Sequence, residues 1–268
     1  MSELVRLEPG DGFAWIRINR PEKRNAMNQV ARDGLREAME RARGRYPVVA
    51  LTGVDDIFCG GIDLKEVQAQ ALEGSEQALA DWRALNVEIR AHPSVFIAAV
   101  NGIALGGGVT LTGVSDLAIA ADDAAFGMPE VGFGMYPNPA GPATQLSLSR
   151  KRAAWLVLTT ERISAATAVE WGLINEAVPR VDLELRVSEL ASQLSRFDSA
   201  TLAHSKRALD QIPLAVDDWA EAFEAGAQAN ARIAAAGDPA AAALARFRRG
   251  ERNPGQGNGT VKTPTRGD

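Results

Sequence analysis

Short apolar runs that end near glycine-rich turns restrict the fold of this chain more than any other feature. Residues 47–52 form one such run and are followed by Cys59, Gly60 and Gly61. Residues 95–100 form another, followed by Gly106, Gly107 and Gly108. A third run, 117–121, lies beyond the second turn. Runs this short, bounded by turn signals, read as buried strands. With helical segments between them they predict right-handed crossovers and a mainly parallel sheet, which is an α/β class.

The flanking text fits that class. Residues 4–19 alternate apolar and polar around Pro9, Gly10, Asp11 and Gly12, which reads as a β-hairpin. Asn28 suits the cap of a helix whose positions Val30, Leu35, Met39 and Ala42 fall on roughly one face. A further helix is expected over 68–90. From Ser149 onward the text is Ala-rich and helical in period, with Ser164 as a cap for 165–171 and an amphipathic helix over 201–212. Residues 251–268 are rich in Gly, Pro, Asn and Thr, so a poorly ordered tail is expected.

Composition removes several classes. The 268 residues carry a net charge of -5, with a pI near 5.3. Nucleic acid as the main partner needs a concentrated basic face, and the pairs Arg248–Arg249 and Lys151–Arg152 are too small for one. The single cysteine, Cys59, permits neither an internal disulfide nor a cysteine-rich zinc site. No apolar run approaches the ~18 residues of a membrane span. Residues 1–8 are charged and lack the apolar segment of a secretory signal. The reading is a cytoplasmic protein.

Glycine at a strand-to-helix turn lets a ligand approach the backbone, and amides at a helix start can point at a negative oxygen. One such turn is equally well a tight packing corner. Two in one chain, at Gly60, Gly61, Ile62 and Asp63 and at Gly106, Gly107 and Gly108, suggest a pair of amides around an oxyanion. Competing motifs fail. Leu111 stands where a dinucleotide fingerprint has its last glycine, and the chain has no P-loop, no G-x-S-x-G elbow and no H-E-x-x-H.

Five ordered blocks carry a family resemblance: INRPEKRNAMN (18–28), FCGGIDLKEV (58–67), FIAAVNGIALGGGVTL (96–111), DLAIAADDAAFGMPEVGFG (116–134) and RISAATAVEWGLINEAVP (162–179). Across roughly residues 4–250 the sequence resembles the enoyl-CoA hydratase/isomerase (crotonase) family. The resemblance implies a spiral of ββα repeats over residues 1–198, a C-terminal helical region for oligomerisation over 199–250, and a flexible tail over 251–268. It also implies an acyl-CoA substrate, homotrimers or homohexamers, and no metal or redox cofactor, coenzyme A being part of the substrate.

By the same resemblance the amides of Ile62 and Gly107 form the oxyanion hole, and Glu130 in the Pro-Glu pair is the catalytic acid–base. Hydratases of the family place a first glutamate two residues after the Gly-Gly-Gly run, where this chain has Thr110. Threonine can hold a water or a hydroxyl but is no base near neutral pH. One carboxylate suits double-bond isomerisation, or hydration followed by retro-aldol cleavage. The rivals are hydration with Thr110 positioning the water, and a non-catalytic acyl-CoA-binding subunit. Asn138 stands where dienoyl-CoA isomerases have a second acid, and Tyr136 either joins it or packs. The coenzyme A contacts implied are Arg24, Gly61, Asp63, Leu64 and Arg249, with Arg24 equally readable as a surface charge. His92, His204 and Cys59 read as structural, and Trp155 and Trp171 as core or interface.

Overall fold

The structure, a computed structural model, describes residues 4–215, 219–237 and 239–251. The expected tail over 252–268 lies outside the described residues. Among the described residues ten strands build two sheets: β1 (Val5–Pro9), β2 (Ala14–Ile18), β3 (Val48–Gly53), β4 (Ile57–Cys59), β5 (Val95–Val100), β6 (Ile103–Leu105), β7 (Leu117–Ala121), β8 (Ala125–Gly127), β9 (Ile163–Ser164) and β10 (Glu176–Val178). The larger sheet runs β1-β2-β3-β5-β7-β10 and the smaller β4-β6-β8-β9. Each turn of the chain supplies one strand to each sheet (β3 and β4, β5 and β6, β7 and β8), which is the spiral of ββα repeats. Pairing is parallel except at the β1–β2 hairpin and between β8 and β9.

The helices are α1 (Gln29–Ala42), α2 (Leu64–Leu72), α3 (Gln77–Ala91), α4 (Gly107–Val114), α5 (Ala140–Ser147), α6 (Arg150–Ala154), α7 (Ala165–Trp171), α8 (Leu183–Leu194), α9 (Ser199–Ala215), α10 (Trp219–Ala235) and α11 (Pro239–Arg248). None of the described helices is long and apolar enough to cross a membrane. Local chemistry sets several of their ends. Asn28 accepts from the Ala31 amide at 3.0 Å, and Ser164 from the Thr167 amide at 3.2 Å. These bonds satisfy amides that a helix start leaves without a partner.

Two expectations change here. Leu35, Met39 and Ala42 are buried, but Val30 is 52% exposed. At about 100° per residue Val30 lies on the far side of α1 from Leu35, and Ala31 and Arg32 turn inward instead. The single helix over 68–90 is two helices. Gly74, at φ +72°, breaks it, and the Gln70 side chain closes the corner by accepting from the Ala78 amide at 2.7 Å. Glycine takes that left-handed backbone without strain. Of the core and interface readings of Trp155, its 47% exposure excludes the core one, whereas Trp82 is buried.

Arg32 holds the α1–α2–α3 corner. Its guanidinium is fully buried, 2.6 Å from Asp81 on α3 and 2.9 Å from Glu66 on α2, and it also donates to the Met27 carbonyl at 3.1 Å. Burial alone would raise the Asp81 carboxyl, but its bonds to Arg32 and Arg36 outweigh that and hold it below the usual range. That stabilisation is present above the ordinary carboxylate pKa and is lost as pH falls through the depressed one. Arg32→Met leaves the partly buried Glu66 without its cation and Asp81 with Arg36 alone. It is expected to lower the urea-unfolding free energy at pH 7 by roughly 3–5 kcal/mol, and a loss below about 1 kcal/mol would show that the pairs are solvent-screened.

Candidate active site

The β4–α2 turn is shaped by its hydrogen bonds. The Gly60 amide donates to the Arg24 carbonyl at 2.8 Å, the Met27 amide to the Gly61 carbonyl at 2.8 Å, and the Asp63 amide to the Met27 carbonyl at 3.2 Å. Met27 thereby grips the residues on either side of Ile62 and leaves the Ile62 amide without an acceptor among the described residues. The second turn opens α4. Gly106, at φ +49°, donates to the Gly127 carbonyl at 2.9 Å, and the first intrahelical bond runs from Thr110 to Gly106. Gly107, the first helical residue, therefore has a free amide at the positive end of the helix.

The two turns touch through backbone. A Cβ on Gly61 would come 3.1 Å from the Gly107 nitrogen, and one on Gly107 would come 2.9 Å from the Gly61 Cα and from Trp82 Cζ2. Any side chain here would cover the amides or push the turns apart. Gly61 also sits at φ +99°, a region L side chains rarely adopt. Both turns line one cavity of about 460 Å³.

Glu130 enters that cavity from the short 3₁₀ turn Glu130–Phe133, which follows β8 and Pro129. Its Oε1 lies so close to Gly106 that a Cβ there would overlap it. Its Oε2 is buried with no hydrogen-bond partner. Burial pushes the carboxyl up, against a smaller opposing bond from its own backbone amide. A carboxyl desolvated in this way, with no cation at hand, can hold and release a proton nearer neutral pH than an exposed glutamate.

Sequence comparison places these elements. The model of the family described as enoyl-CoA hydratase/isomerase matches residues 8–234. The chain belongs to that family. It is 37% identical over 207 residues to a probable enoyl-CoA hydratase of Rhodobacter capsulatus, covering 76% of this chain and 80% of the relative. It is 32% identical over 214 residues to the hydroxycinnamoyl-CoA hydratase-lyase of Pseudomonas fluorescens, covering 76% and 77%. A crystal structure of an enoyl-CoA hydratase from Bacillus anthracis superposes with a TM-score of 0.87 at 26% identity, covering 95% of this chain and all of that one. The protein is an acyl-CoA enzyme of the enoyl-CoA hydratase/isomerase family with the crotonase fold.

Within this crotonase site the structure brings together Gly61, Ile62, Leu64, Gly107, Thr110, Glu130, Tyr136 and Asn138, all of which line the cavity. Thr110 is fully buried, and its hydroxyl donates back to the Gly106 carbonyl at 3.3 Å. The Tyr136 hydroxyl accepts from Gln145 at 2.8 Å. Asp63 is placed differently. Its carboxylate caps α2 by accepting from Lys65 at 3.0 Å and pairs with Arg20 at 2.7 Å, so its oxygens serve the turn rather than the cavity. Arg24 is exposed beside Gly60 and outside the cavity lining, and Arg249 is also outside it, 3.6 Å from Glu251.

A larger cavity of about 600 Å³ lies between α3 and α9. Its central charges satisfy one another. Lys206 is 2.9 Å from Asp116 and 3.0 Å from the Ser94 carbonyl, and Arg90 pairs with Asp116 and Asp210. It carries no glycine turn, and its lining from Val87–Pro93 and Ala203–Gln211 makes it the seam along which α9 lies beside α3. His92 beside it is structural. Burial and nearby cations hold its ring down to about 4, and Nε2 lies 3.1 Å from the Met39 carbonyl. His204 is half-buried on the rim of this seam. Cys59 packs under the first turn, its thiol pushed up by burial to about 12.

Cavity residues that sequence reading missed include Glu76, Leu79, Trp82, Arg83 and Phe133. The Trp82–Arg83 pair carries no motif. A break at Gly74 would have exposed α3 as a separate helix facing the glycine turns.

Proposed function

We propose that this cavity takes an acyl-CoA thioester with its carbonyl oxygen on the amides of Ile62 and Gly107. Glu130 then serves as the one proton carrier. In the ionised form Glu130 removes a proton from the α carbon. The electron pair moves toward the thioester oxygen, where the two fixed donors meet the developing charge. Return of the same proton to the γ carbon moves the double bond and regenerates the carboxylate, so no co-reactant is consumed. The scheme requires no metal or redox group. The observation that carries it is the buried, unpartnered Glu130 Oε2 beside the turn bearing Gly107. Following a 3-enoyl-CoA ester to its 2-enoyl isomer by mass spectrometry and ultraviolet absorbance tests it, with hydroxycinnamoyl-CoA included for hydration and cleavage. No reaction on any of these esters would overturn the reading.

A second reading has its own support. Thr110 lines the cavity, and with its hydroxyl hydrogen given to Gly106 its oxygen keeps lone pairs able to accept from a water. Under the one-carboxylate scheme, hydration of crotonyl-CoA is expected to be slow, and Thr110→Glu is expected to raise it by supplying a second acid–base group. Wild-type hydration with kcat well above the ~10 s⁻¹ typical of enzymes would favour the Thr110 water instead.

A further inference from the structure

Arg83 lies on α3 directly after Trp82, whose indole packs against the Gly107 turn, and it lines the cavity. It is half-buried, yet its guanidinium has no hydrogen bond or ion pair among the described residues. Every other half-buried arginine among them has a partner: Arg17, Arg20, Arg36 and Arg90, for example, each face a carboxylate within 4.0 Å. The acidic and basic side chains lining this cavity are Glu76, Arg83 and Glu130. Glu76 is exposed and pairs with neither, and Arg83 does not figure among the influences on Glu130.

That separation has a chemical consequence. A cation beside Glu130 would stabilise its carboxylate and undo the effect of burial, so a charge meant for the reacting end would sit closer. Most of the remaining wall is apolar, including Leu64, Val67, Leu79, Trp82 and Phe133. An alkyl chain filling it would strip water from the guanidinium and return nothing, which is costly for a charged donor. A carboxylate at the far end of the acyl chain would accept its two parallel N–H bonds.

Resting on the acyl-CoA reading of this cavity, we propose that Arg83 selects CoA thioesters whose acyl group ends in a second, distal carboxylate. Dicarboxylic half-esters of coenzyme A are the preferred class, and Arg83 is the residue that reads them.

The test is calorimetric binding of matched pairs to the full-length protein: succinyl- against butyryl-CoA, adipyl- against hexanoyl-CoA, suberyl- against octanoyl-CoA, and free coenzyme A. In at least one pair the carboxylate-ended ester is expected to bind about tenfold or more tightly. Arg83→Met should remove that preference, by weakening the carboxylate-ended ester and relieving the cost borne by the alkyl ester, while leaving free coenzyme A unchanged, and Arg83→Lys should keep part of it. Equal affinities within all three pairs of the wild type would overturn the proposal without any variant. So would an Arg83→Met that weakens free coenzyme A as much as adipyl-CoA, which would assign Arg83 to the nucleotide phosphates. If the alkyl esters bind but show no discrimination, only the Arg83 assignment fails. If no CoA ester binds at all, the acyl-CoA reading fails with it.

Discussion

Glu130→Gln is expected to lower turnover of the CoA ester by roughly 10²–10⁴-fold while leaving ester binding within about tenfold. Glutamine keeps the size of the side chain and its place against Gly106 but cannot carry the proton. The wild-type carboxyl is unusual in that Oε2 is buried without a partner. Any residual rate in the variant would come from the amide pair and from positioning alone. The same burial predicts the pH profile. Glu130 acts as a base when ionised, and burial raises its pKa. Activity should therefore fall as pH drops through a midpoint above the ~4.3 of an ordinary glutamate, and that acid limb should be missing from whatever rate Glu130→Gln retains. Single-turnover kinetics across pH, with ester binding measured by calorimetry, decides it. A variant keeping more than a few per cent of wild-type activity would move the proton carrier elsewhere.

Gly61→Ala is the second large effect, and it is a test of backbone rather than side-chain chemistry. The added methyl would stand 3.1 Å from the Gly107 nitrogen and 3.1 Å from the Leu105 carbonyl oxygen. The thioester oxygen must occupy the space in front of that nitrogen if the amide is to donate to it. Losing one such donor costs ~10²–10³ in kcat. The positive φ of 99° adds strain of about 1–3 kcal/mol, so thermal unfolding has to be read alongside the kinetics. The expected pattern is a modest fall in Tm with a far larger fall in kcat. A kcat within threefold of wild type in a folded variant would remove the amide pair from the mechanism. Gly107→Val approaches the same amide from the other side, against Gly61 and Trp82, and should lose activity in parallel.

Much of this architecture was legible from sequence because its causes are local. The runs 95–100 and 117–121 became β5 and β7 with those bounds, since a short apolar segment between turn signals has few other ways to bury itself. Asn28 and Ser164 cap the helices expected of them, because the capping bond reaches only a few residues along the chain. The glycines at 61 and 106 marked the two turns, where the structure has the positive φ that other residues seldom adopt. The ordered blocks, read together, carry the family resemblance in the sequence itself.

Tertiary structure alone decided the rest. Nothing near Arg32 in sequence says that it will be buried, because the carboxylates that make burial tolerable arrive from α2 and α3. Asp63 stood in a motif that promised a ligand contact, and its oxygens went instead to Arg20 and to a helix cap. Glu130 was named from its neighbours in sequence, but its orphaned oxygen exists only because Gly106 and the cavity wall close around it. The isolation of Arg83 is likewise a statement about every other charge in the fold. Helix ends, turns and buried strands are set by interactions a few residues long, which a sequence displays directly. Desolvation and the presence or absence of a counter-charge depend on segments that meet only after folding, and those are the properties on which the chemistry of this site rests.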